Sequence, residues 1–453
     1  MKKIIEKNNE NKILLFNVIG AFLIKGFSLI VSIFSMPLYI KYFKNNTVLG
    51  VWYTILSLLS WILVCDLGLG NGLRNKLTEA MTLKDEINAK RYISSSYISL
   101  GLIIIPITFI GCIIIKNINC NKILNIPISY ISQDTLQISL IILLIGISLS
   151  FILKLINSII YAMQLSTLNN LITLISSILP LIYILFFNGI DNNKNFISLS
   201  IVHVFSINMP LIAATIICFK SDYMKKCKPS YCYFDKNISK SLLKFGLKFF
   251  SAQIFFMFLM ATNEIIITRI YGPEKVVEYS VYYKVFMVFG SLFTLALTPL
   301  WSKITKDFTK KNYLVIHKTG KILYALASIG VLFEFSVIPF LQTLVDFWLG
   351  DNTIKVSLSN AYLFAIFGGV FIFNIVVTTV ANGLGELKTQ IFFYGIGAVL
   401  KIPIILLFSN IGNSWRIIVI YNIIVLMLFC LYQVLWFENK IKKLLLNGGN
   451  KNV

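Results

Sequence analysis

The sequence predicts an all-α integral membrane protein whose twelve transmembrane helices form two six-helix bundles. Three observations carry that expectation. The 453 residues are 57% hydrophobic and only 13% charged, outside the range of soluble domains. Apolar stretches long enough to cross roughly 30 Å of hydrocarbon, at about 1.5 Å of rise per residue, recur along the chain. Their Ile, Leu and Phe fill successive positions rather than alternate ones. That pattern suits bundle helices and not the short period-two strands of a membrane barrel. The same composition excludes a disordered chain, a disulfide-rich secreted scaffold and a collagen-like fibre.

The twelve stretches fall at 13–39, 48–65, 93–115, 136–161, 168–188, 197–219, 245–270, 279–299, 318–346, 357–381, 390–408 and 415–437. The first follows Lys2, Lys3, Lys7 and Lys12, like the charged start of a secretory signal. Its apolar run is longer than a signal's and no small-residue cleavage pattern follows, so it is expected to stay as a span. Pro37, Pro106, Pro180, Pro210, Pro299, Pro339 and Pro403 lie within or at the ends of spans. There a missing backbone donor and a ring clash permit bends. Asn157, Gln253, Asn263, Asn374 and Asn422 interrupt otherwise apolar runs, and interhelical hydrogen bonding is their default role.

Twelve spans put both ends on one side. The N-terminus, the loops after even-numbered spans and the C-terminus hold 28 Lys and Arg against 9 on the other side, which makes both ends cytoplasmic. Eight lysines lie between Lys220 and Lys248, the longest basic connection, and it falls between the sixth and seventh spans. The expected organisation is a bundle over 1–219, a basic cytoplasmic linker over 220–244, a second bundle over 245–437 and a cytoplasmic tail over 438–453. A shift of 228 residues lays Tyr42-Phe43 and Val48-Leu49 on Ile270-Tyr271 and Val276-Val277, with Lys41 on Arg269. A shift of 219 lays Ala162 and Leu168 on Ala381 and Leu387. Together with equal helix counts, these favour a parallel 6+6 repeat.

The loops exclude much. No outer loop exceeds about 20 residues, short for the catalytic loop expected of a sugar polymerase, ligase or lipid-linked glycosyltransferase. No phosphate-cradling GxxxxGK[ST] loop is present. His203 and His317 are too far apart to begin a metal site; the first reads as packed or pore-facing, the second as solvated. Of Cys65, Cys112, Cys120, Cys218, Cys227, Cys232 and Cys430, only Cys120 sits in an outer loop, which argues against a structural disulfide. Cys227 and Cys232 read as free thiols. Neither enzymatic chemistry nor a metal is expected.

Charges inside the spans are the informative residues, because each costs a few kcal/mol at mid-bilayer and usually faces the bundle interior or a watery path. Here Lys25, Lys154, Lys284 and Lys401 stand against Glu264 and Glu334. Lys25 is mid-span, beyond easy reach of either interface, whereas Lys154 and Lys284 lie nearer span ends and can snorkel. If the lysines face a cavity, it is cationic and suited to phosphate groups. For Glu264 and Glu334 two readings stay open: buried partners of the lysines, or groups that bind a proton or Na⁺ during transport.

Four segments resemble a known family. Asp66-Leu67-Gly68-Leu69-Gly70-Asn71-Gly72-Leu73-Arg74 is similar to the D-L-G-L-x-x-x-L-x-R segment of polysaccharide exporters in the multidrug/oligosaccharidyl-lipid/polysaccharide (MOP) superfamily. Asn263-Glu264-Ile265-Ile266-Ile267-Thr268-Arg269-Ile270-Tyr271-Gly272-Pro273-Glu274, followed by Val277-Glu278-Tyr279-Ser280, resembles its seventh-to-eighth span signature, with Glu264 where Asp is more usual. Asn382-Gly383-Leu384-Gly385-Glu386-Leu387-Lys388 resembles its N-G-L-G-x-x-K turn, and Tyr161-Ala162-Met163-Gln164 the counterpart turn, with Leu165 in place of a glycine.

The resemblance implies a Wzx-type flippase of undecaprenyl-diphosphate-linked O-antigen or capsule repeat units, in the inner membrane of a bacterium. It implies two bundles around a cationic cavity that opens alternately to each side, in the manner of MATE (multidrug and toxic-compound extrusion) transporters. The partners implied are the lipid-linked oligosaccharide, membrane lipids, a polysaccharide polymerase and a chain-length regulator. Lys25, Lys284, Lys401 and Lys154 are then candidate substrate contacts, and Glu264 and Glu334 candidate coupling groups for H⁺ or Na⁺, with no other cofactor. Asp66, Gly68, Gly70 and Arg74 read as a structural turn, glycine supplying left-handed backbone angles and Asp66 pairing with Arg74 across it. The competing readings are a multidrug exporter of the same fold, a lipid II flippase and a membrane polymerase. Of the net charge of +22, all but +5 sits in cytoplasmic segments, which is a topology signal and gives no reason to invoke nucleic acid.

Overall fold

The computed structural model describes residues 68–124, 130–187, 191–349, 355–412 and 414–448, with residue 128 and scattered residues between 19 and 59. The main helices are α1 (Leu69–Thr82), α2 (Glu86–Asn117), α3 (Gln133–Leu153), α4 (Leu155–Ala162), α5 (Ser166–Phe186), α6 (Asn192–Cys218), α7 (Lys236–Ala261), α8 (Asn263–Tyr271), α9 (Pro273–Thr309), α10 (Tyr313–Ser336), α11 (Leu341–Leu349), α12 (Leu358–Gly383), α13 (Lys388–Gly412) and α14 (Arg416–Gly448). Among the described residues there is no strand. Among the described residues, ten helical segments are long and apolar enough to cross a membrane, and they coincide in order with the third to twelfth predicted stretches. The first two stretches lie largely outside the described residues. The chain is a multi-pass membrane protein.

Local chemistry sets many of the boundaries. The Asp85 carboxylate accepts from the Asn88 amide at 3.0 Å and starts α2; that bond holds its carboxyl below the usual carboxylate range. Ser132 and Asp191 start α3 and α6 in the same way. Pro106, Pro180, Pro210, Pro299 and Pro403 lie inside helices, and Pro339 occupies the short 3₁₀ turn Ile338–Phe340 between α10 and α11.

Contacts divide the chain into two compact units, Met1–Leu247 and Lys248–Val453. In the first, Phe43, Trp52 and Phe196 form an aromatic core, with Trp52 edge-on to Phe196 at 5.5 Å. Gly146 of α3 lets α6 come so close that a Cβ there would lie 2.2 Å from Val204. Asn208 of α6 uses that proximity, donating to the Gly146 carbonyl at 3.0 Å and accepting from Ser150 at 3.0 Å. In the second unit α12 is central, with Phe364, Phe367 and Ile372 fully buried. Small residues again allow close approach: Gly330 faces Phe293, Gly369 faces Val331 and Gly383 faces Ile304. The seventh spanning helix begins at Lys236, inside the segment read from sequence as a linker, and the boundary between units falls within it.

The backbone carries the internal repeat more sharply than the sequence does. Apart from Gly68, every residue with positive φ among those described has a counterpart in the other half. Lys44 (52°) matches Gly272 (92°), Lys84 (58°) matches Lys311 (59°), and Gln164 (64°) matches Gly385 (71°). The last two pairs close alike. Leu165 N–H donates to the Ile160 carbonyl and Glu386 N–H to that of Ala381; Asp85 N–H donates to Ala80 and Asn312 N–H to Asp307. The register between the Gln164 and Gly385 turns is thus two residues longer than the shift of 219 read from side chains. Apolar identities between helices are a weak ruler, whereas a left-handed cap fixes one position.

The glycine-rich segment also needs correction. Only Gly68 is left-handed, with φ 62° at the start of α1, while Gly70 and Gly72 are helical. Gly72 serves packing instead: a Cβ there would lie 3.3 Å from the Leu242 carbonyl, and one on Gly246 would lie 3.0 Å from the backbone at Gly68 and Leu69. Asp66 is outside the described residues. Arg74 is 3% exposed, with its guanidinium 4.6 Å from the Tyr161 ring centroid. Burial pulls its pKa down to about 9, so it remains charged at neutral pH. His317 is not simply solvated, since its Nε2 lies 2.8 Å from Glu438 Oε2.

Candidate functional site

The seventh spanning helix is interrupted where Thr262 and Asn263 follow a long apolar run. Both side chains can satisfy nearby backbone groups and so compete with helix continuation. Thr262, with φ −85° and ψ −6°, separates α7 from α8. A helix end leaves carbonyls without partners, which is costly in hydrocarbon. Here the Thr262 hydroxyl donates to the Phe258 carbonyl at 2.7 Å, and the Lys401 ammonium from α13 donates to the carbonyl of Leu259.

Lys401 is fully buried and its other protons are also engaged. Nζ donates to Thr262 Oγ1 at 2.9 Å and to Asn263 Oδ1 at 2.6 Å. Asn263 is held in turn: its Nδ2 donates to the Tyr279 hydroxyl at 2.8 Å, and its Oδ1 accepts from Asn422 Nδ2 at 3.0 Å. The interhelical role expected for Asn263 and Asn422 is therefore observed, as it is for Asn374, whose Oδ1 accepts from the Tyr394 hydroxyl at 2.5 Å. Lys401 secures the helix break and offers no free proton to a ligand in this conformation.

Glu334 of α10 is also fully buried, yet neither carboxylate oxygen has a hydrogen-bond partner among the described residues. Its space is made by Gly368 of α12, where a Cβ would lie 2.7 Å from Glu334 Oε1. Glu334 and Lys401 form no ion pair with each other. The remaining intramembrane charges are more open. Lys284 is exposed on α9, its ammonium 5.8 Å from the Trp348 ring centroid, with no acidic partner among the described residues. Glu264 is exposed on α8 and accepts from Ser280 at 3.4 Å. Lys154 is half-buried at the break between α3 and α4. Lys25 lies outside the described residues. Three or more His, Cys, Asp or Glu side chains do not converge anywhere among the described residues.

Within the second unit the structure thus gathers Lys401 with Asn263 and Asn422, and no hydrogen bond or ion pair among the described residues joins Lys284 or Glu334 to them. Tyr279, part of the seventh-to-eighth span signature, joins the Lys401 site, and Thr262 and Gly368, which no sequence motif marks, complete these sites. The signals available were the Thr-Asn pair inside an apolar run and the Gly368-Gly369 pair inside the tenth span.

Solved structures with the same arrangement of helices decide the fold. A MATE transporter in the straight conformation matches with a TM-score of 0.72 at 14% identity, over 96% of each chain. The fold is that of the MATE transporters. The MATE transporter VcmN of Vibrio cholerae in its bent form aligns at 11% identity and a TM-score of 0.70, over 96% of this chain and 99% of its own. A MOP-superfamily transporter from Pyrococcus furiosus aligns at 14% and 0.70, over 96% of both. No family model matches the chain, and neither does any curated protein. The MATE fold, shared with these transporters across nearly the whole length, fixes the expected topology of twelve helices.

Proposed function

We propose that this protein flips undecaprenyl-diphosphate-linked oligosaccharide repeat units, of O-antigen or capsule type, across a bacterial inner membrane by alternating access. The observation that carries the reading is the contrast between Lys284 and Glu334. The ammonium is exposed within a spanning helix and has no acidic partner among the described residues, whereas the carboxyl is sealed away. A site for a drug cation calls for the opposite, while an exposed ammonium suits a diphosphate. The motifs around Gly68, Glu264 and Asn382 support the same family. For the Pyrococcus furiosus transporter, reversed polarity of the binding pocket has been held to suggest a different function, so polarity is a meaningful discriminator on this fold.

Glu334 is the proposed coupling group, with H⁺ as its ion. A proton needs a single oxygen, whereas Na⁺ needs several, and a buried carboxyl without a hydrogen-bond partner among the described residues is suited to the former. The termini are assigned to the cytoplasm, and a polymerase and a chain-length regulator are the expected protein partners. Deleting the gene should accumulate lipid-linked repeat units on the cytoplasmic face and abolish surface polysaccharide. Lys284→Ala should restore export poorly, and Lys284→Arg well. Intact surface polysaccharide together with raised drug sensitivity would instead identify a multidrug exporter.

A further inference from the structure

The cage around Lys401 has an unusual ligand set. A backbone carbonyl (Leu259), a hydroxyl (Thr262) and an amide oxygen (Asn263) converge on Nζ, and none of them carries a formal charge. Three acceptors match the three protons of an ammonium and leave no role for an amine lone pair. The cage lies at the C-terminal end of α7, where the helix dipole favours a positive charge. A further oxygen of the cluster, Asn422 Oδ1, is buried without a hydrogen-bond partner among the described residues, although the same amide donates to Asn263. Neutral oxygens grouped where a spanning helix unwinds are the ligands that hold a monovalent metal ion in a membrane.

We propose that the Lys401 ammonium occupies a monovalent-cation site at this break, so that the chain supplies its own cation there and takes up neither Na⁺ nor K⁺. The tethered charge keeps the break between α7 and α8 in one geometry without drawing on an ion gradient. This holds whatever the chain transports, and it concerns a place separate from Glu334.

Removing the side chain should turn the cage into an ordinary ion site. The test compares thermal unfolding of the full chain in detergent, in choline, sodium, potassium or ethylammonium chloride at equal ionic strength. Native protein should unfold at one temperature in all four. Lys401→Ala should unfold earlier in choline and recover with Na⁺ or ethylammonium, in a saturable rise of about 5 °C. The double variant with Asn263→Ala should lose that recovery, and Lys401→Met, which fills the space without a charge, should show none. If Lys401→Ala does not fold in choline, the readout becomes the yield of monodisperse protein prepared in ethylammonium against choline. The proposal is overturned if native protein is selectively stabilised by Na⁺ or K⁺, if Lys401→Ala is indifferent to every cation, or if no cation restores its yield.

Discussion

A buried carboxyl group without a hydrogen-bond partner weakens a fold, and among the described residues Glu334 has none. Gly368 opposite it adds to the cost, because glycine in a helix interior is less favourable than alanine by roughly 0.5–1 kcal/mol. Two unfavourable choices facing each other make sense if the carboxyl serves transport rather than stability. Glu334→Leu, similar in bulk and without polar atoms, should therefore stabilise the chain by about 1–3 kcal/mol in thermal or denaturant unfolding, while ion-driven flux in proteoliposomes is lost. A stable variant with undiminished flux would remove Glu334 from the coupling role, and a destabilised one would point to a structural partner. Arg74 shows the opposite economy. It too is buried, but its charge lies against the face of Tyr161, and its neighbourhood is helix packing around Gly72 and Gly246.

At the scale of elements, the turns between helices show what side-chain patterns reveal and what they conceal. The Asn382-Gly383-Leu384-Gly385 turn was legible because glycine marks a position needing positive φ, and Gly385 has it at 71°. The matching turn ends on Gln164 at 64°, where no glycine announces it, so its register was misjudged. The break after Ala261 was equally hidden, since Thr and Asn within a span read as hydrogen-bonding residues before they read as a helix end. Spans themselves were legible because hydrocarbon thickness fixes their length. Boundaries set by caps, such as Lys236 rather than residue 245 for the seventh, were not, because the lysines of α7 dilute its apolar character. The paired turns give a direct test. Gln164→Gly should stabilise the first unit by about 1 kcal/mol, and Gly385→Ala should destabilise the second by a similar amount. Equal effects of the same sign would show that the two turns are not equivalent. Unfolding followed by hydrogen exchange at the flanking helices would assign each change to its own unit.

Over the whole molecule the charge is unevenly divided between the two sets of loops, and this asymmetry bears on orientation, which the fold alone leaves open. The strongest concentration is Lys220 to Lys248, and much of it is ordered. Cys227 packs against the Glu86 carbonyl, Ser230 N–H donates to Ser94 at 3.0 Å, and Asp235 N–H donates to Ser95 at 3.1 Å. Lys226 pairs with Glu86 at 2.8 Å, which raises the lysine's pKa and keeps it charged. These bonds fasten the basic connection to the start of α2, at the same ends of the helices as Lys84 and Lys90. The positive-inside rule counts short loops of this kind, so the expectation it gives is a cytoplasmic position for that face. Reporter fusions test the assignment across the full length. Alkaline phosphatase joined after residue 230 or residue 446 should be inactive and a fluorescent protein there bright, with the pattern reversed after residue 355. Introduced cysteines at Lys84 and Lys355 should react with a membrane-impermeant maleimide from the cytoplasmic and outer sides respectively. An active phosphatase after residue 230 would invert the topology and move the Lys220–Lys248 segment to the outer face. The direction of substrate flux would then have to be reassigned, even though every helix contact within each unit stayed the same.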